Sequence, residues 1–163
     1  MLPMDQAVNI QYILQSIGLT VLFVGLIGYE RQRRNKIAGL TTHLLVALGA
    51  AGLTMVQQQM VYDAIVFVKE SDVFGPGDIV IQRQRIVAQI VSGIGFLGTG
   101  AIIKTNGYIS GLTTASTLWI SAIIGIIFGY GMYWIGITLS LSVLFVLTII
   151  KNFFRHMVED PHH

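Results

Sequence analysis

Few residues of this chain are equipped for chemistry, and they gather at two places. The first is Glu30-Arg31-Gln32-Arg33-Arg34, which closes a long apolar run. A carboxylate at a membrane boundary is costly unless a partner neutralises it. Arg31, another arginine of the run or the start of the next helix can supply one, so Glu30 is expected to have a specific role. Arg33, Arg34 and Lys36 need none, because a basic cluster beside a span anchors topology and touches anionic lipid. The second place is Arg85, Gln89 and Ser92. Gln89 and Ser92 share a helix face, and with Arg85 they are expected to form a polar cluster reaching inward from the other side. His43 stands alone and reads as a hydrogen-bonded structural residue. Asp63, Glu70, Asp72 and Asp78 lack the dense spacing of a calcium loop and read as a solvated loop. No nucleophile–base pair and no group of metal ligands stands out. The chain has no cysteine, which removes thiol nucleophiles and Cys-based metal sites. No catalytic residue, metal or cofactor is expected, and no enzyme.

The elements that position these residues are membrane helices. Charged residues make up 11% of the chain, less than half the roughly 25% of a soluble domain, and they are clustered between long neutral stretches. The class is an all-α membrane protein with five transmembrane helices, at about 8–29, 37–56, 86–103, 113–130 and 132–150, in a single domain covering 1–163. The first run lacks a basic leader and a cleavage site and reads as a retained helix. Arg31, Arg33, Arg34, Lys36, Lys104, Lys151 and Arg155 fall on one side, and Lys69, Arg83 and Arg85 on the other. Basic residues stay in the cytoplasm, so the N-terminus is expected outside and the C-terminus inside. The small positive net charge follows from this topology and does not indicate a nucleic-acid surface. Tyr130, Tyr133 and Trp134 suit an interfacial ring belt.

Two segments repeat, I-A-G-L-T-T at 37–42 and I-S-G-L-T-T at 109–114, with Gly28 matching Gly100 and Ala50 matching Ala122 at the same offset. Spans one–two and three–four are therefore expected to form a parallel internal repeat about an axis along the membrane normal. Each Gly-Leu-Thr-Thr looks like a helix start in which a threonine caps an open N–H. Thr42 and Thr114 would then place two positive helix ends beside Glu30, Arg31 and Gln32, around a vestibule for a partner's helix or an anionic group. The stretch S-G-I-G-F-L-G-T-G at 92–100 contains G-x-G-x-x-G, but no strand precedes it, so it is not a dinucleotide loop. Its small residues instead suit close helix packing, making span three the expected centre of the bundle. Thr114, Thr117 and Ser121 share one face of span four.

G-x-x-G-Y-E-R-Q at 25–32, A-G-L-T-T-H at 38–43, R-I-V-A-Q-I-V-S-G-I-G-F-L-G-T-G at 85–100 and G-L-T-T-A-S-T-L-W at 111–119 together resemble the MgtC/SapB family of bacterial inner-membrane proteins. The resemblance covers nearly the whole chain. It implies the bacterial cytoplasmic membrane, a link to low-magnesium or phosphate stress and to virulence, and action as a regulator of other membrane machinery, an F-type ATP synthase included. Many members carry a cytoplasmic domain after span five, where this chain soon stops. Thr41 stands where the family often has arginine. Gln82-Arg83-Gln84 stands where an aspartate is common, leaving Arg85 to pair with another acid such as Asp78. The expected function is a small membrane regulator or accessory protein. Its partners would be membrane lipid and another membrane protein, with self-association through span three as a further mode and no nucleic acid. The competing reading is a transporter or channel for an ion or small solute, which requires a water path past Gln89, Ser92 and Thr117.

Overall fold

Asn9 opens the first helix: its side-chain oxygen accepts the Tyr12 N–H at 2.8 Å, satisfying one of the free donors of the first turn. The computed structural model describes residues 7–70, 85–105 and 107–150. In chain order these form α1 (Ile10–Arg33), α2 (Leu40–Glu70), α3 (Arg85–Gly100), the strands β1 (Ile103–Thr105) and β2 (Tyr108–Ser110), α4 (Leu112–Gly129) and α5 (Tyr133–Phe145). A π-helical turn, Val146–Ile150, extends α5. The helices α1, α2 and α4 are long and apolar enough to cross a membrane, and α3 and the last helix are shorter apolar ones.

The centre of the bundle is α4. More than half of its apolar window, 56%, is buried, against 28% for α1 and 39% for α2. Its Thr117, Ser121, Gly125 and Gly129 recur every four residues and are all buried. They face a matching row on α2. A Cβ on Gly125 would lie 2.2 Å from the Ala47 carbonyl oxygen, and one on Gly129 2.8 Å from that of Ala51. Lipid offers no hydrophobic drive for helices to associate, so contact at backbone distance is what holds such a pair. Val24, Ile27, Ala47, Ile124 and Phe128 fill the space beside it. Phe23 stacks on Phe128 with ring centroids 5.9 Å apart. Gly136 lets α5 lean on the Phe128 ring, where a Cβ would meet it at 2.4 Å. Buried hydroxyls return to carbonyls four residues back in their own helices, Thr20 to Ser16, Thr54 to Ala50 and Ser121 to Thr117, and so pair their own donors in the apolar interior.

One end of the bundle is built from tyrosines and glutamines. The Tyr12 hydroxyl donates to the Gly129 carbonyl at 2.5 Å and accepts from Gln58 at 2.8 Å. Gln57 donates to the Tyr130 hydroxyl at 3.0 Å, and Ser16 lies 3.4 Å from that of Tyr133. The opposite end carries the arginine run and the β-hairpin, and is called the basic end below.

Several expectations are corrected. The second helix does not stop at 56 but runs to Glu70; hydropathy falls at Gln57, whereas helix formers continue without glycine or proline. The connection expected at 104–112 is a hairpin, with Ile103 opposite Ser110 and Thr105 opposite Tyr108. The third helix is not the centre. Only Ile94 and Gly98 of it are buried, and a Cβ on Gly93, Gly95 or Gly100 would meet nothing within 4 Å among the described residues. Gly28 is unlike its counterpart Gly100: a Cβ there would press to 2.8 Å on Leu40 Cα.

A buried polar cluster at the basic end

The last turn of α1 puts Glu30 and Arg31 under the bundle, both buried. Arg31 donates from Nε and Nη2 to the two Glu30 oxygens, at 2.6 and 3.2 Å. Arg34, one turn on, approaches Glu30 Oε1 at 2.5 Å. A fork-shaped donor on a carboxylate is the strongest kind of pairing available, and it is what allows a charge to leave water here. Arg31 Nη1 is buried and meets no acceptor among the described residues.

The chain then reverses within a few residues. Asn35 adopts φ 51°. Its N–H donates to the Gln32 carbonyl at 3.0 Å, and the Lys36 N–H to that of Arg31 at 3.1 Å. These paired bonds past a left-handed residue close a helix C-terminus. The tight reversal sets Gly39 against the Gln32 side chain, whose Oε1 accepts the Leu40 N–H at 3.2 Å. Gln32, itself exposed, is thus the cap of α2.

His43 lies in the first turn of α2 and is fully buried. Its Nδ1 is 2.7 Å from the Gly39 carbonyl and its Nε2 3.0 Å from Thr117 Oγ1. A carbonyl only accepts, so the neutral ring carries its proton on Nδ1 and accepts at Nε2. The Thr117 hydroxyl also lies 2.9 Å from the Thr114 carbonyl, so its single proton is divided between the two acceptors. His43 is the side chain that ties the start of α2 to α4 by a hydrogen bond. Its signal in the sequence was the four-residue row His43, Ala47, Ala51 opposite Thr117, Ser121, Gly125.

The expected vestibule residues therefore separate. Glu30, Arg31 and Gln32 gather at the start of α2 as described. Thr114 is buried below His43 and Thr117, whereas Thr42 is exposed. The threonine caps are not formed as expected. The first N–H of α2 goes to Gln32, and α4 is entered through Gly111 at φ 88° with no side-chain cap. Arg85, Gln89 and Ser92 are all exposed on α3, so they do not reach inward as a polar cluster; α3 packs by its Ile94 face. Asp78, the suggested partner of Arg85, lies outside the described residues. Among the described residues no three His, Asp or Glu side chains are grouped to hold a metal.

Apolar helices packed through small residues, with the Glu30–Arg31 pair enclosed among them, define a multi-pass α-helical membrane protein. The MgtC family model matches residues 17–156, and the chain belongs to that family. It is 37% identical over 145 residues to "Putative magnesium transporter YhiD" of Escherichia coli K12, covering 89% of this chain and 63% of that protein. It is 45% identical over 111 residues to "Protein MgtC" of Brucella abortus, covering 68% and 40%. With "Protein MgtC" of Salmonella typhimurium it shares 41% over 150 residues, covering 92% and 57%. The chain thus spans 40% to 63% of the length of these relatives. No solved structure matches it.

Proposed function

We propose that this chain is a membrane regulator or accessory unit of the MgtC type that acts by binding another membrane protein through the outward face of α3. One observation carries the reading: the bundle axis is filled by backbone contact between α2 and α4, with Gly125 against Ala47, while Arg85, Gln89 and Ser92 are turned outward. A filled axis suits a rigid docking body. A polar face on a helix in lipid calls for hydrogen-bonding protein neighbours, and Gly93, Gly95 and Gly100, which serve no close contact among the described residues, let another helix come near. The name of the Escherichia coli relative supports a link to magnesium; the ties to low-magnesium stress, phosphate stress and virulence rest on the family resemblance. In this reading the basic end is cytoplasmic and the chain lies in a bacterial inner membrane with its N-terminus outside. We also propose that the hairpins α1–α2 and α3–α4 are a parallel repeat, supported by α2 and α4 starting at the equivalent Leu40 and Leu112.

The competing reading, transport of magnesium or another small solute, draws support from the name carried by the Escherichia coli relative. Photoreactive residues at Gln89 and Ser92, with Leu45 on the exposed side of α2 as control, separate the two in native membranes. The regulator reading expects a membrane protein captured from α3 and not from Leu45, an F-type ATP synthase subunit being the partner the resemblance suggests, and no magnesium flux in reconstituted vesicles. Saturable magnesium flux without capture from α3 overturns it; capture of a second copy alone would reassign the face to self-association.

A further inference from the structure

A hollow of about 520 Å3 opens between α2 and α3 at the basic end. Its floor is the cluster of Ala38, Ala101 and Leu118, two of them too small to fill the space between the helices. Its walls are apolar, with Ile37 and Val46 on one side and Phe96 and Leu97 on the other. Thr42 is the polar side chain of the α2 wall and Thr99 that of the α3 wall, and both are exposed. Exposed lysines stand close in the chain to both walls, Lys36 immediately before Ile37 and Lys104 three residues after Ala101. The volume falls within the roughly 300–1,000 Å3 of pockets that take organic ligands. We propose that this hollow binds an anionic phospholipid, one acyl chain lying on the alanine floor, its phosphate between Lys36 and Lys104 and its glycerol esters at the level of Thr42.

The charge pattern selects this occupant. An apolar slot alone would suit a partner's helix equally well, but a cation close in the chain to each wall matches one anionic headgroup joined to an apolar tail. Lysines near a membrane surface favour anionic lipid additively. The hollow borders the outward face of α3 and shares Gly100 with it, but its occupant is argued from the lysines and the alanine floor, so failure of partner capture at Gln89 and Ser92 leaves it standing.

Native mass spectrometry of the whole chain, after exchange into phosphatidylglycerol or phosphatidylethanolamine, tests the proposal. Phosphatidylglycerol is expected to be retained preferentially. Lys36→Gln with Lys104→Gln should lower its retention about tenfold and leave phosphatidylethanolamine unchanged. Thr42→Phe, which places a ring in the hollow from an exposed position, should lower retention of both; Leu97→Trp serves the same purpose if the first variant does not fold. Equal retention of the two lipids, or retention untouched by either kind of variant, overturns the proposal. So does a photoreactive residue at Leu97 that joins to protein and not to lipid, which would assign the slot to a partner's helix.

Discussion

Gly39-Leu40-Thr41-Thr42 and Gly111-Leu112-Thr113-Thr114 share their four residue types, and each starts a helix at its leucine. Their surroundings divide them. The first follows a short reversal braced by Glu30 and Arg31, takes its cap from Gln32 and leaves Thr42 in an open slot. The second follows a β-hairpin, is entered through a left-handed glycine with no side-chain cap and buries Thr114 under the bundle. A helix start is therefore not defined by its own four residues. What stands N-terminal to it, and which face meets α4 or belongs to α4, decides the rest.

The largest effect expected is on the brace behind the first copy. Glu30→Ala leaves the Arg31 guanidinium buried without a counter-charge, which costs about 3–5 kcal/mol. Adding Arg31→Met should recover most of that loss. Equilibrium unfolding in mixed detergent measures both; no recovery in the double variant would mean that Glu30 acts on something other than Arg31.

Alanine at the two motif glycines sharpens the contrast. At Gly111 the side chain would be forced into the left-handed region and onto the Ala101 carbonyl, a combined cost of about 3 kcal/mol. At Gly39 it would meet only the movable Gln32 side chain, at 3.1 Å, so a loss below about 1 kcal/mol is expected, the magnitude of a helix cap. Equal losses from the two variants would erase the distinction between the copies.

His43→Ala removes the bond to Thr117 and leaves a hole between α2 and α4, with a loss of about 1–3 kcal/mol. Thr117→Val should lose less than His43→Ala, because the Gly39 bond survives. Smallest of all, Thr42→Val should stay within about 0.5 kcal/mol, since Thr42 is exposed. A thermal-shift series on the purified variants ranks these three, and a Thr42 variant as damaging as the His43 one would show that the slot is closed.

Much of this was legible in the residues. Long neutral stretches disclose the five helices, and the cost of a charge at a boundary discloses that Glu30 must be paired. The centre was not legible, because glycine reads the same wherever it stands. Gly93, Gly95 and Gly100 suggested a packed α3, yet it is Gly28 of α1 and Gly125 and Gly129 of α4 that press on the backbone of α2. The four-residue recurrence from Thr117 to Gly129 is the usable signal, since only a row at that spacing meets one neighbour along its length. The extension of α2 past Gln57 was hidden because hydropathy reports where lipid ends and not where hydrogen bonding ends. The hairpin was hidden because three-residue strands leave almost no periodicity to read.

The closed axis is the claim on which the proposed function depends, and the absence of native cysteine allows it to be read directly. Ser121→Cys places a thiol at the α2–α4 contact, and Tyr108→Cys one on the exposed hairpin. A small membrane-impermeant thiol reagent, applied to vesicles of both orientations, should label the Tyr108→Cys chain from one side and leave the Ser121→Cys chain unlabelled from both. Labelling of Ser121→Cys at a rate comparable with Tyr108→Cys would place water on the axis and contradict the account.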